Sequence, residues 1–132
     1  MLRLALSIAL LAACSDDDPP LEPTPIGPLA GSDELQWGEQ LYQTHGCVAC
    51  HRIDGGASVG PPLNAVAGLS RTLADGRTVV ADADYLREAL DSPSAAVVRG
   101  YEGAAMPTYE NLAPAEMEAL IGYLQSLSVM AR

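Results

Sequence analysis

The spacing of apolar residues predicts a first helix that begins at about residue 32. We expect Ser32 to cap this helix, because a serine hydroxyl can accept a hydrogen bond from a free backbone N–H of the first turn. Asp33 and Glu34 follow it, where negative charge favours the positive end of the helix dipole. We expect Gly46 to end the helix. The positions that set the helical period are Leu35, Gly38, Leu41 and Tyr42.

Two further helices are predicted downstream, separated from the first by a Gly- and Pro-rich loop over 54–68. Asp82 is expected to cap a helix from Ala83 to about Leu90, which Ser92-Pro93 closes. Pro114 suits the first position of the last helix. The apolar stripe of that helix consists of Met117, Leu120, Ile121, Leu124 and Leu127. These patterns predict an all-α fold.

The amino terminus has the pattern of an export signal. A short basic start at Met1–Arg3 precedes an apolar run from Leu4 to Ala13, which is too short to span a bilayer. The run ends at Cys14 after small residues and resembles the lipobox of bacterial lipoproteins, whose leader is cut before a lipidated Cys. We therefore predict a signal peptide over 1–13 and lipid attachment at Cys14; an ordinary secretory signal with an incidental Cys is the alternative.

Residues 14–31 carry no apolar periodicity and are rich in proline. Such segments favour an extended polyproline II conformation, so we interpret 14–31 as a semi-rigid tether. Featureless disorder is the alternative and would tether the chain with less reach. The remaining residues, 32–132, are expected to form one small domain. The protein is then exported and anchored by lipid on the periplasmic side of the cell envelope.

Composition limits the possible partners of this domain. The formal net charge is −10, and all seven basic residues are Arg. Nucleic-acid binding needs a basic face and is therefore not expected, and membrane attachment must come from the anchor. The acidity can equally be a solvated surface that keeps the protein soluble. The chain also has no Phe, so a large apolar cofactor would complete an otherwise thin core.

The sequence Cys47-Val48-Ala49-Cys50-His51 is the attachment signature of a c-type haem. On one helical turn the two Cys share a face and can form thioethers, while His51 is placed to bind the iron. A thioredoxin-like redox pair would need an alternating strand and helix context, and a zinc site would need more soft ligands. A structural disulfide would leave His51 unexplained. One covalent haem c is therefore the predicted cofactor.

Met106 is the predicted second ligand of the iron. It follows a flexible run over 100–105 and precedes Pro107. Met117 lies on the apolar stripe of the last helix, and Met130 is near the end of the chain. A thioether ligand would raise the reduction potential. The alternative is a loop methionine packed on the ring edge. His45 could compete with Met106 in principle, but it lies only two residues before Cys47, on the proximal side, and is therefore interpreted as a surface histidine.

These motifs together resemble a class I cytochrome c, and most closely the cytochrome c domain fused to subunit II of some haem–copper oxidases. The resemblance runs from Gly38 to Leu127. Its pieces are Gly38-x-x-x-Tyr42, Cys47-x-x-Cys50-His51, Gly60-Pro61-x-Leu63, Asp82-x-x-Tyr85-Leu86, Ser92-Pro93, Gly100-Tyr101, Met106-Pro107 and Leu120-x-x-Tyr123-Leu124. It implies a small class I cytochrome c fold, with three to four helices around one covalently bound haem.

The resemblance also implies roles for residues outside the attachment motif. The Pro61 carbonyl should accept a hydrogen bond from His51 Nδ1, and Leu63 should pack on the proximal face of the haem. Leu86 and Leu90 should pack on the distal side. Arg71, with Arg77 behind it, is the candidate partner of a haem propionate; an exposed charge is the alternative for either Arg. Gly38 and Tyr42 should cross the last helix near Leu120 and Tyr123.

The sequence shows neither the copper-site residues and transmembrane helices of the oxidase subunit nor the lysine ring of mitochondrial-type cytochromes c. We therefore carry over haem ligation and not oxidase function. The expected function is a one-electron carrier, and not an enzyme, in a cell-envelope respiratory chain. Its expected partners are a donor such as a quinol-oxidising complex and an acceptor such as a terminal oxidase. Two alternatives are a haem enzyme or gas sensor with an open distal site, and a haem-bearing subunit of a larger respiratory complex.

Overall fold

A computed structural model describes residues 33–130 of the chain, with side chains through residue 128. It contains three α-helices, two short 3-10 turns and one two-stranded sheet. The elements are α1 (Glu34–Thr44), a 3-10 turn (Cys47–Ala49), β1 (Ser70–Thr72), β2 (Thr78–Val80), α2 (Ala83–Asp91), a 3-10 turn (Pro93–Ala95) and α3 (Pro114–Met130). The mostly helical fold agrees with the predicted class. The signal peptide and the tether lie outside the described residues and stay predictions.

The first helix begins one residue later than the sequence predicts. Asp33, and not Ser32, is the N-cap, since its Oδ1 accepts a hydrogen bond from the Gln36 N–H at 2.8 Å. Both residue types cap helices well, and a charged acceptor forms the stronger bond at the positive end of the dipole. Ser32 itself lies outside the described residues. The helix ends at Thr44, and Gly46 takes a left-handed φ of 72° as expected at this position.

The second and third helices begin where the sequence places them. Asp82 caps α2 by accepting a hydrogen bond from the Tyr85 N–H at 2.9 Å, and Ser92 closes the helix. Pro114 is the first residue of α3. The buried Glu116 reaches back and accepts a hydrogen bond from the Ala113 N–H at 2.9 Å. This bond satisfies one of the N–H groups that a helix start leaves without a partner.

Helices α1 and α3 cross in close contact at Gly38. A Cβ at this position would lie 2.1 Å from the Ala119 carbonyl oxygen and 2.6 Å from Tyr123 Cβ. Only glycine permits that approach. The rings of Tyr42 and Tyr123 meet one helical turn further on, with centroids 5.6 Å apart. The predicted crossing near Tyr123 is confirmed, and the backbone contact falls at Ala119 beside Leu120.

The small sheet is the element that the sequence analysis missed. Strands β1 and β2 pair antiparallel, with Arg71 opposite Val79, and the chain reverses at Asp75-Gly76. Gly76 has a φ of 93°, which favours glycine. Asp75 accepts hydrogen bonds from the backbone and the side chain of Arg77. An Asp-Gly pair is a known hairpin signal, but strands of three residues are too short for a period-two pattern to show.

The three helices enclose one apolar core. Its fully buried side chains come mainly from α1 and α3, with α2 closing the other side. The largest of them are Tyr42, Leu41 and Leu120. Met117 is buried in this core, as the apolar stripe predicts. Within residues 33–130, no helix has the length and apolar character needed to cross a membrane.

Candidate functional site

The two cysteines of the attachment motif lie on one short 3-10 turn that follows α1 directly. The Cys50 N–H donates to the Cys47 carbonyl at 3.2 Å, and the His51 N–H donates to the same oxygen at 2.9 Å. Cys47 begins the turn and Cys50 is its C-cap, so the two cysteines are separated by one turn of the backbone. Both thiols are free. The turn therefore presents two cysteines and a histidine together.

The His51 ring is held in place by the loop that contains Gly60 and Pro61. Its Nδ1 lies 2.8 Å from the Pro61 carbonyl oxygen, so Nδ1 carries the proton and Nε2 is the nitrogen left for a metal. The loop itself is fixed, because the Gly60 N–H donates to the Cys50 carbonyl at 2.8 Å. A Cβ at Gly60 would lie 2.5 Å from His51 Cε1. Glycine at position 60 therefore lets the loop approach the ring.

Tyr42 supports the same histidine from α1. Its hydroxyl donates to the His51 carbonyl at 2.5 Å. Burial is the main cause that raises the Tyr42 pKa to about 12, so the hydroxyl keeps its proton and remains a donor. The family resemblance implies only a place in the helix crossing for Tyr42. Helical periodicity places a side chain on a face but does not show which carbonyl its hydroxyl reaches.

A cavity of about 610 Å³, including the space at its open side, lies against this turn. Eight of the nine residues predicted to contact the cofactor line it: Cys47, His51, Pro61, Leu63, Arg71, Leu86, Leu90 and Met106. Cys50 is half-buried and is not on the lining. The structure thus gathers residues spread over 60 positions around one space.

Further lining residues were not assigned to the site from the sequence. They are Tyr42, Val66, Tyr85, Ala89, Val98, Leu120 and Leu124. The two leucines belong to the predicted apolar stripe of α3, which therefore serves the cavity as well as the core. Ala89 and Leu90 are successive residues of α2, so the helix presents a broad edge to the cavity. These apolar side chains make the cavity suited to a large apolar ligand.

Arg71 and Tyr85 give the cavity one polar corner. The Arg71 guanidinium donates to the Pro62 carbonyl at 3.2 Å. Burial raises the pKa of Tyr85, and the charge of Arg71 opposes that shift. The predicted second arginine is elsewhere: Arg77 bonds to Asp75 and to the Ala95 carbonyl and does not line the cavity. Arg77 lies in the hairpin turn, two residues after Asp75, and therefore pairs with that carboxylate.

Met106 reaches the cavity from a loop between α2 and α3. Its side chain is partly buried against the core, while Pro107 and Thr108 next to it are exposed. His45 departs from its interpretation as a surface residue. It is half-buried, and its Nε2 is buried without a hydrogen-bond partner among the described residues. The ring packs edge-on against Tyr109, with centroids 5.8 Å apart.

Comparison with known proteins agrees with this arrangement. The family model described as cytochrome c matches residues 35–128. The chain belongs to the cytochrome c family. "Cytochrome c oxidase subunit 2" of Alkalihalophilus pseudofirmus is 35% identical over 98 residues, which are 70% of this chain and 25% of that protein. This cytochrome therefore spans about a quarter of the relative's length.

Among solved structures, a cytochrome c from Rhodothermus marinus has the same fold. It superposes with a TM-score of 0.53 at 24% identity, covering 79% of this chain and 91% of its own. The predicted resemblance to class I cytochromes c is confirmed. The family and the fold support a haem-based electron carrier with haem c as its cofactor.

The residues at the cavity fit haem c. Haem needs a nitrogen ligand, sulfurs for covalent attachment, apolar walls and a partner for its carboxylates. His51 offers Nε2, Cys47 and Cys50 offer free thiols, and Arg71 offers a charged donor. Burial raises the pKa of the Cys47 thiol, which agrees with an apolar setting at the attachment point.

The position of Gly60 leads to a testable prediction. Gly60→Ala should push the His51 ring away from Pro61, because the added Cβ would lie within 3 Å of three ring atoms. Overpacking of this kind costs about 1–3 kcal/mol of unfolding free energy. Denaturant unfolding of the haem-loaded protein measures this loss. The yield of haem-loaded protein should fall as well.

Gly103→Ala is the matched control for this variant. Gly103 also lies in a loop, but a Cβ there would have no neighbour within 4 Å. Its unfolding free energy should stay within about 0.5 kcal/mol of the wild type, as is usual for surface substitutions. Equal stability of the Gly60 and Gly103 variants would contradict the close contact with His51.

Proposed function

We propose that this chain is a monohaem cytochrome c that carries one electron at a time, with haem c bound covalently by Cys47 and Cys50. His51 and Met106 are its proposed iron ligands. One observation carries the proposal: Cys47, His51 and Met106 all line one apolar cavity, although Met106 is 55 residues further along the chain than His51. When bound, the haem supplies a metal centre that exchanges one electron between ferric and ferrous iron.

The other residues of the cavity hold and shield that group. Pro61 fixes the tautomer and the plane of the His51 ring, which raises the basicity of the ligand. Leu63, Leu86 and Leu90 supply the apolar walls, and burial of this kind is one of the factors that set a haem potential. Arg71 is the proposed donor to a propionate. The protein thus tunes the potential through ligand choice, hydrogen bonding and burial.

Met106→Ala tests the ligand assignment. Loss of the thioether should lower the midpoint potential by an amount on the order of tenths of a volt, within the range of about 0.8 V that axial ligands span. The ferric iron should also bind cyanide, and the ferrous iron carbon monoxide, because its sixth position is open. Redox titration and ligand-binding spectra measure both effects.

Met117→Leu is the control, because Met117 is buried in the core and does not line the cavity. It should change neither the potential nor ligand binding. A Met106→Ala protein with the wild-type potential and no new ligand binding would contradict the assignment. A wild-type protein that binds cyanide and carbon monoxide as readily as the variant would support a haem enzyme or gas sensor instead.

We infer that the electron carrier works in a respiratory chain of the cell envelope. Its similarity to a protein named cytochrome c oxidase subunit 2 supports this role, as does the predicted export signal. The proposed donor is a quinol-oxidising complex and the proposed acceptor a terminal oxidase. The same relative favours a second candidate, a haem-bearing subunit of a larger respiratory complex. Purification from detergent-solubilised membranes separates them, since a subunit should bring its complex with it.

A lipid on Cys14 is the proposed attachment to the membrane, on the periplasmic side. Cys14→Ser should release a haem protein into the soluble fraction or block processing of the leader. Fractionation of cells, with the mass of the chain measured in each fraction, shows which occurs. Ala13→Gly is a control, because it leaves the lipidated residue in place. A Cys14→Ser protein that has lost its leader and still sediments with membranes would contradict lipid anchoring.

The surface charge points to a basic redox partner. Three of the five described arginines pair with carboxylates, Arg52 with Asp54, Arg77 with Asp75 and Arg87 with Glu118. The attachment turn instead exposes apolar side chains, with Val48 49% and Ile53 43% exposed. We propose that a small apolar contact beside this turn docks the partner, and that the acidic surface steers it.

Electron transfer measured by stopped flow tests this steering. With a basic partner protein, the second-order rate should fall by roughly tenfold or more as salt rises, because screening removes the attraction. An acidic partner protein should give a rate that rises with salt. An acidic partner that reacts faster at low salt than at high salt would contradict the proposal.

A further inference from the structure

Tyr109 lies three residues after Met106 and anchors an otherwise exposed segment. Pro107, Thr108, Glu110 and Asn111 are all exposed, whereas Tyr109 is half-buried and packs on the core. Its backbone N–H donates to the Leu90 carbonyl of α2 at 2.9 Å. This residue is therefore the first fixed point of the chain beyond Met106.

The backbone around Met106 has few hydrogen bonds of its own. The Ala104 N–H donates to the Tyr101 carbonyl at 3.1 Å, and the next backbone donor with a partner among the described residues is Tyr109. Between them, nothing in the backbone ladder holds residues 105–108. The position of Met106 therefore depends on the two ends of this stretch, and Tyr109 is the end nearer to the attachment turn.

The Tyr109 side chain reaches across to the residues that precede the attachment turn. Its hydroxyl donates to the His45 carbonyl at 3.2 Å, and the two rings meet edge-on with an interplanar angle of 78°. His45 is the C-cap of α1, where helix carbonyls lack intrahelical donors. The bond therefore satisfies a carbonyl that the helix leaves open.

The same hydroxyl lies close to the first attachment cysteine. Burial raises the pKa of the Cys47 thiol, and the nearby Tyr109 hydroxyl opposes that shift in part. Burial also raises the pKa of Tyr109, so the phenol keeps its proton at neutral pH and stays a donor. The hydroxyl thus connects the Met106 segment to the His45 carbonyl, two residues before Cys47.

We propose that Tyr109 is a positioning residue for Met106, whose hydroxyl holds the segment that carries this ligand against the haem-attachment turn. Met106 can leave the cavity only if the segment between Met106 and Tyr109 moves, and the hydrogen bond from Tyr109 to His45 must then break. The inference rests on the proposed function, since it takes Met106 to be the iron ligand. In this role, the Tyr109 hydroxyl helps to keep Met106 in the cavity, where it can bind the iron.

Tyr109→Phe in the haem-loaded protein tests the proposal, because it removes the hydroxyl and keeps the ring. The probe is imidazole binding to the ferric protein, which competes with Met106 for the iron. Loss of one hydrogen bond of ordinary net strength should raise the apparent imidazole affinity by roughly three- to tenfold. The red-edge absorption band that the family resemblance leads us to expect of methionine-ligated ferric haem should remain when imidazole is absent.

Two controls separate positioning from general destabilisation. Tyr101→Phe removes a hydroxyl at the other end of the loop, where no hydrogen bond of that hydroxyl exists among the described residues, and should leave imidazole affinity unchanged. Met106→Ala removes the competing ligand. In that background Tyr109→Phe should have no further effect on imidazole affinity, because there is no methionine left to hold.

The outcomes distinguish this inference from the proposal on which it rests. If the wild type shows the methionine band and Tyr109→Phe binds imidazole like the wild type, the positioning role is wrong and the ligation stands. An equal increase in the presence and absence of Met106 would also overturn it, since the hydroxyl would then act on the fold in general. A wild type without the band, with imidazole binding unaffected by Met106→Ala, would overturn both.

Discussion

The close approach of α1 to α3 at Gly38 is the constraint on which the site depends. A Cβ at Gly38 would lie 2.1 Å from the Ala119 carbonyl oxygen, so the backbones of the two helices are in direct contact. Tyr42, one turn beyond Gly38, can then pack on Tyr123 and still reach the His51 carbonyl. From α3, Leu120 and Leu124 line the cavity. A wider crossing would move these residues apart and leave His51 supported from the Pro61 side alone.

The cavity combines a rigid wall with a less constrained one. On the His51 side, the loop at 60–63 is hydrogen-bonded at both ends to the residues that flank His51, from Gly60 to Cys50 and from Leu63 to Arg52. On the Met106 side, the backbone from 105 to 108 has no partners within the described residues. This asymmetry suits the proposed site, in which covalent attachment next to His51 would fix one iron ligand. Met106, the other proposed ligand, would be positioned by tertiary contacts formed far along the chain.

Local signals account for what the sequence predicted well. The attachment motif lies within five residues. Asp82 as an N-cap and Pro114 as a first helical residue act on the turn that follows them, so each could be recognised from its own segment. The start of α1 was wrong by one residue because Ser32 and Asp33 are both good caps. The hairpin was missed because three-residue strands carry no period, although Asp75-Gly76 marked its turn.

Contacts between distant segments explain what the sequence could not provide. The His45 and Tyr109 residues are 64 positions apart, and no pattern in either segment indicates that a hydroxyl in one meets a carbonyl in the other. The exposure of His45 was misjudged for the same reason. Pro61 and Arg71 were assigned through family resemblance and not through spacing. Arg77, which was expected behind Arg71, instead pairs with the carboxylate two residues before it. An ion pair between residues two positions apart forms from local contacts alone, and here it took the place of the predicted contact between Arg77 and a haem propionate.

Two tyrosine hydroxyls bracket the attachment turn, and burial keeps both of them protonated. Tyr42 donates to the carbonyl of His51 after the turn, and Tyr109 donates to the carbonyl of His45 before it. The Tyr42 pKa rises to about 12, above the value of about 10 for an unfolded tyrosine. The folded state then binds more protons than the unfolded state between these values. The stabilisation is therefore complete below about pH 10 and is lost as the pH rises towards 12, so the turn stays held from both sides throughout the neutral range.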